Sequence, residues 1–269
     1  MPRPYFGRLR LAALVLVGTT AAGAAPTDGR RGSPHTVAVA AASDLEPVLQ
    51  ALRPTFERDH PGIRLRITYG SSGAFFAQLQ SGAPFDVFLS ADVIYPRKLA
   101  EAGLAAPEDV FVYARGRLAI WVSKRSPIDV QTLGVGSAVH PAARRVAIAN
   151  PRHAPYGRAA EAALQAAGLL ERVRPRLVFG ENAAQAAQFV HTGAADLGFI
   201  PMSLALSPAL KDQGRVLEVP LDAYPPLDQG GLLLSSARQA EAARAFRAFL
   251  LSAPAAAELR RFGFLVEGR

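Results

Sequence analysis

The strongest constraint on this chain is the repeated exchange of short β-branched or apolar runs with longer, alanine-rich amphipathic stretches. Strands are predicted over 37–41, 64–69 and 87–90, followed in turn by helices over 45–59, 74–81 and 96–101, and a longer strand over 118–123. The grammar then repeats, with strands over 145–149, 176–179 and 197–200, helices over 157–167 and 183–192, further strands over 215–220 and 231–235, and a closing helix over 237–251. Strands spaced by helices cannot close as hairpins; they need crossover connections and so lie mostly parallel. Two such sets of similar size predict an α/β, two-lobed fold, each lobe a mostly parallel sheet flanked by helices, with ligand in the interlobe cleft. A single doubly wound sheet is the alternative that length leaves open. With 269 residues, half of them hydrophobic, the chain can supply two cores but not a multi-domain machine.

The N-terminal stretch carries Arg3, Arg8 and Arg10, then an apolar run from Leu11 to Val17, then small residues through Ala22-Gly23-Ala24. This is the order of a cleaved signal peptide, expected over 1–24, and the apolar run is shorter than the ~20 residues of a spanning helix. Residues 25–35 combine turn formers and charge without periodicity and are expected to form a flexible leader. The chain has no cysteine, which removes disulfides, thiolate metal sites and cysteine-linked lipid together. A soluble periplasmic location follows. Loss of the three leader arginines lowers the formal charge from +8 to +5. The remaining arginines stand singly or in pairs (Arg144-Arg145, Arg260-Arg261) without interleaved aromatics, which argues against a nucleic-acid surface and leaves only a general bias toward anions.

Four strand-to-helix junctions share one character. They read Ala41-Ala-Ser43-Asp44-Leu-Glu46-Pro47, Tyr69-Gly-Ser71-Ser72-Gly73-Ala74, Asn150-Pro-Arg-His-Ala-Pro155-Tyr156-Gly157 and Gly180-Glu181-Asn182-Ala183-Ala184. Ser43 stands three residues before Glu46 in capping-box spacing and is the expected N-cap. Helix starts leave N–H donors unpaired, and each carries roughly half a positive charge, so four converging starts would offer on the order of +2 to a dianion. Taken singly, each junction is satisfied by ordinary capping; two in each half are what a cleft between lobes requires. A carboxylate facing such a cleft would repel the anion. Asp44 is therefore expected to offer its N–H and turn its side chain away, and Glu181 to cap or face solvent.

In order and combination, these junctions, with Gly82-Ala-Pro-Phe-Asp86-Val-Phe-Leu-Ser-Ala-Asp92 and the closing Arg261-Phe-Gly-Phe264, resemble the molybdate-binding periplasmic proteins of ABC importers, from about Val37 to Phe264. These belong to the two-lobed type II solute-binding proteins. The resemblance implies a periplasmic-binding-protein-like fold with lobe I over 36–117 and 227–269 and lobe II over 118–226, and no enzymatic activity. The implied ligand is molybdate or tungstate, with no cofactor; the implied partner is an ABC importer permease in the inner membrane, met by a monomer. It also implies that the oxyanion is held by hydrogen bonds, without direct bonds to the metal, from Ser43, Asp44 (backbone) and Ser72 in lobe I and from the backbones of Tyr156 and Ala183 in lobe II. Some members supply a tyrosine hydroxyl after the fourth helix, where this chain has Ile200-Pro201-Met202; the resemblance then assigns the hydroxyl to Tyr156.

Other chemistries find less support. The five histidines are dispersed without metal-ligand spacing, and His153, nearest the junctions, reads as a loop residue. Asp86 and Asp92 have no histidine beside them and read as structural. A serine hydrolase using Ser71 or Ser72 would lack the G-x-S-x-G elbow, and no histidine or acid partner stands out. Sulfate, phosphate or an organic acid are the alternative ligands, with Arg158 the one obvious clamp for a carboxylate.

Overall fold

The computed structural model describes residues 35–267. The expected signal peptide lies outside the described residues, as does the leader except for His35, which opens the first strand rather than ending the leader. Ten strands are described: β1 (His35–Ala42), β2 (Ile63–Gly70), β3 (Val87–Ser90), β4 (Val110–Gly116), β5 (Leu118–Ser123), β6 (Val146–Ala149), β7 (Leu177–Gly180), β8 (Leu197–Pro201), β9 (Gly214–Glu218) and β10 (Leu227–Leu233). The helices are α1 (Glu46–Asp59), α2 (Ser72–Gln80), α3 (Ile94–Glu101), α4 (Val130–Leu133), α5 (Pro155–Ala166), α6 (Leu170–Val173), α7 (Ala183–His191), α8 (Met202–Ala205), α9 (Ala240–Leu250) and α10 (Ala253–Arg261).

The strands form two five-stranded sheets, ordered β2-β1-β3-β10-β4 and β7-β6-β8-β5-β9. In the first, β1 pairs parallel with β2 and β3, and β10 pairs antiparallel with β3 and β4. In the second, β6 pairs parallel with β7 and β8, and β5 pairs antiparallel with β8 and β9. Each sheet therefore has one reversed strand, β10 or β5, and these are the strands by which the chain enters each sheet from the other. The two-lobed, mostly parallel architecture is thus realised, with the reversals confined to the crossings.

Packing explains the strand composition. Along β1, Val37, Val39 and Ala41 enter one apolar cluster with Phe56, Phe246 and Leu259, while Ala40 enters another with Phe75, Phe88 and Leu99. Helices cover both faces, so the strand is apolar from Val37 to Ala42 rather than alternating. The second sheet has its own core around Trp121, Phe199 and Leu164. Each large side chain fully buried in these cores contributes about 1.5–3 kcal/mol. Asp86, 5% exposed, is a structural tie: its carboxylate accepts from the N–H groups of Ala38 (2.7 Å), Arg238 (2.7 Å) and Gln239 (3.2 Å), joining the edge of β3 to β1 and to the chain entering α9.

Several elements differ from the sequence reading. Strand β4 and the short helices α4, α6 and α8 were not predicted. Strand β10 begins at Leu227 rather than 231; Gly230 and Gly231 within it are sites of close approach, where an added Cβ would lie 2.6 Å from Val93 Cα and 2.1 Å from the Phe111 ring respectively. Beyond the predicted closing helix, which is α9, stands a further helix, α10, whose start Ser252 caps by accepting from Ala255 N–H and whose first turn holds Pro254.

Candidate ligand-binding cleft

The four junctions all lie beyond the carboxyl ends of parallel strands, two in each sheet: β1 and β2 in the first, β6 and β7 in the second. This is where open α/β sheets present ligand sites. Hydrogen bonds across the cleft bring them together. Ala184 N–H donates to Ser43 Oγ (3.2 Å), Gly73 N–H donates to the His153 carbonyl (2.8 Å), and Ser71 Oγ pairs with His153 Nδ1 (2.8 Å).

The local geometry at each start decides which donors remain. Ser43 is not the N-cap of α1. It opens a 3₁₀ turn (Ser43–Leu45) with no side-chain cap, and Glu46 bonds to Gln50 instead, so the capping-box reading is replaced by a contact across the cleft. At α2, Ser71 is the N-cap, accepting from Ala74 N–H, while Ser72 in the first turn accepts from Ala91 N–H (3.0 Å). Ser43 and Ser72 are both buried, and both use oxygen lone pairs on a backbone N–H. Among the described residues neither hydroxyl donates to a protein group, which leaves both protons for a ligand. At α7, Asn182 caps by accepting from Gln185 N–H, and Gln185 Oε1 accepts from Glu181 N–H. That reciprocal arrangement leaves Ala183 N–H without a protein acceptor among the described residues, and Tyr156 N–H, in the first turn of α5 after Pro155, is in the same position.

The Tyr156 hydroxyl stands elsewhere. It accepts from Gln229 Nε2 at 3.5 Å and lies so close to Gly116 that a Cβ there would be 2.2 Å away. With Gln229 of β10, Tyr113 of β4 and Asp44 it forms a buried polar knot where the chain passes between the sheets. The Asp44 side chain is 1% exposed, and among the described residues neither of its oxygens has a hydrogen-bond partner. Burial pushes its carboxyl up to about 7; Tyr156, the residue's own N–H and Gln229 stand near enough to pull it part of the way back without making an aligned bond to it. Burial, with the Asp44 charge beside it, likewise holds the Tyr156 phenol well above its ordinary value. Glu181 faces solvent, its side chain 71% exposed, 3.5 Å from His153 Nε2.

Sequence reasoning missed the groups that hold the two sheets' domains together. Arg158 donates through Nη2 to Asp92 (2.8 Å) and through Nη1 to the Tyr95 hydroxyl (3.0 Å), with its guanidinium 5.5 Å from the Tyr95 ring centre. It is therefore occupied, not free to clamp a carboxylate. Ser203 Oγ donates to the Asp44 carbonyl (2.7 Å). His153, read as a loop residue, gathers Ser71, Gly73 and Glu181, so a histidine and an acid do stand near a serine; that serine is 6% exposed and caps a helix. The one signal in the sequence was Arg158 itself, a cation in a first helical turn where no other junction has one. Among the described residues no group of three or more His, Asp or Glu could hold a metal ion.

Two α/β domains meeting over helix starts define a solute-binding protein, and the chain belongs to the bacterial extracellular solute-binding protein family, whose model matches residues 37–265. Such proteins bind and deliver; the chain is not an enzyme. Its similarity is to particular members. It is 35% identical over 233 residues to the molybdate-binding protein ModA of Rhodobacter capsulatus, covering 87% of this chain and 89% of that protein, and 35% identical over 229 residues to ModA of Azotobacter vinelandii, covering 85% and 89%. The solved periplasmic molybdate-binding protein of Azotobacter vinelandii superposes with a TM-score of 0.80 at 32% identity, over 86% of this chain and all of that one.

Proposed function

We propose that this protein captures molybdate, and tungstate with it, in the periplasm and delivers the anion to an ABC importer permease in the inner membrane. Lobe I would comprise 36–117 and 227–269 and lobe II 118–226, with 1–24 removed as a signal peptide. The observation that carries the reading is the set of unspent neutral donors at four helix starts, two per sheet, hydrogen-bonded to one another across a single cleft. The Ser43 and Ser72 hydroxyls and the Asp44, Tyr156 and Ala183 N–H groups form the proposed shell. Tyr156 contributes through its backbone; its hydroxyl lies in the buried knot beside Gln229 and Asp44. The named relatives support the choice of anion.

The selectivity logic is that a fully deprotonated oxyanion accepts hydrogen bonds on every side, whereas a protonated phosphate directs an O–H at a donor and leaves it unpaired. In an open form one lobe holds the anion; closure adds the second set of donors, and the ligand shifts the population because only the closed form makes both sets. Titration calorimetry against molybdate, tungstate, sulfate and phosphate tests this. Tight binding of the first two and weak binding of the others is expected; sulfate bound as well as molybdate refutes the assignment.

A further inference from the structure

The polar knot beneath the cleft contains a carboxyl group that the proposed function does not use. Asp44 follows Ser43 in the 3₁₀ turn, its carbonyl accepts from Ser203 on α8, and its carboxylate is enclosed by Tyr113 from β4, Tyr156 from α5 and Gln229 from β10. Those neighbours are committed to one another: the single Tyr113 O–H is shared between Gln229 Oε1 (3.3 Å) and the Ser90 carbonyl (3.4 Å), and Gln229 Nε2 donates to Tyr156. Tyr224 is the next phenol beyond Tyr156. No arginine, lysine or histidine among the described residues acts on Asp44 from any of these elements. A carboxylate that is dry, unpaired and without a cation is strongly unfavourable. A dianion held at the adjacent helix starts makes it more so.

We propose that Asp44 is a proton-binding site filled together with the oxyanion: as the lobes close, its carboxylate takes one proton from solvent and becomes a neutral acid, so that the protein binds the anion and a proton as a pair. This rests on the oxyanion reading above. The neutral acid has an O–H that the Tyr113 or Tyr156 oxygen or Gln229 Oε1 can accept, and it removes the charge facing the anion. Tyr156 and Ser203 come from the second sheet's domain, so opening withdraws two of the groups that exclude water from Asp44.

The sign follows from linkage. In the closed form the carboxyl sits at about 7; in the open, hydrated form it returns toward the ordinary value near about 4. Between those values the complex is protonated and the free protein is not. Affinity is greatest below the lower value, weakens by up to about tenfold per pH unit across the window, and levels off above the upper one.

The test is calorimetry of the purified chain with sodium molybdate from about pH 5.5 to about pH 8, each point in two buffers of different ionisation heat. The expected result is uptake of close to one proton near about pH 6, falling toward zero by about pH 8, with Kd rising about 10–30-fold over the range. Asp44→Asn is expected to take up no proton and to show a flat profile, which separates Asp44 from His153 at the cleft edge. Absence of uptake in the wild type, or uptake retained in Asp44→Asn, overturns the proposal; if the variant does not fold, the wild-type proton count decides alone. Absence of molybdate binding at every pH overturns the functional reading itself.

Discussion

Replacing Arg158 with methionine should weaken ligand binding without weakening the fold. The guanidinium joins the two domains through a 2.8 Å ion pair to Asp92, a 3.0 Å hydrogen bond to Tyr95 and a cation–π contact at 5.5 Å. The charged partners are partly hydrated, with side chains 40% and 26% exposed, so the ion pair contributes about 0.5–1 kcal/mol. The tyrosine bond and ring contact together add about 0.5–1 kcal/mol. Asp92 is not orphaned by the change, because its Oδ1 still accepts from Ile94 N–H (3.0 Å) and its Oδ2 can be hydrated. The loss is therefore about 1–2 kcal/mol and falls on the closed form alone. This predicts a Kd for molybdate raised about 5–30-fold, mostly through faster release, with a smaller effect at high salt. Calorimetry and stopped-flow release, alongside urea unfolding of the ligand-free protein, measure the two halves of the statement. An unchanged Kd, or a ligand-free protein destabilised by as much as binding is, would refute the argument.

Ser43→Ala and Ser72→Ala should each weaken molybdate binding by about 1.5–3 kcal/mol, the scale of a hydrogen bond to a charged group; calorimetry showing both unchanged removes them from the shell. Gly73→Ala places a Cβ 2.7 Å from the His153 carbonyl oxygen, so closure should be obstructed at about 1–3 kcal/mol, read as a 5–150-fold loss of affinity with ligand-free stability unchanged. Asp86→Ala leaves three N–H groups without their acceptor and should lower unfolding stability by about 2–4 kcal/mol in urea titrations of the ligand-free protein.

Most of the strands and long helices were legible because their signals are local. β3 and β5 were read with their observed ends, since Val87–Ser90 and Leu118–Ser123 are short apolar runs with clear flanks. The first half of β10 was missed because the roles of Gly230 and Gly231 are set by Val93 and Phe111, contacts that no periodicity encodes. The predicted helix over 237–251 stops where α9 does, before Ser252-Ala-Pro254; the helix that this N-cap and first-turn proline open, α10, was not read.

The cleft divides in the same way. The junction residues were visible in the sequence because hydroxyls, glycines and first-turn prolines at helix starts are chosen by local backbone chemistry. What each one does there depended on partners more than 60 residues away. Ser43 became a cross-cleft acceptor instead of a cap, the Tyr156 hydroxyl went to Gln229 instead of the cleft, Arg158 became a latch, and Asp44 was left dry and unpaired. A chain's own spacing specifies where donors begin; which of them stay unspent is decided only when the second sheet's domain arrives, because hydrogen bonding and burial are properties of the neighbours a residue meets.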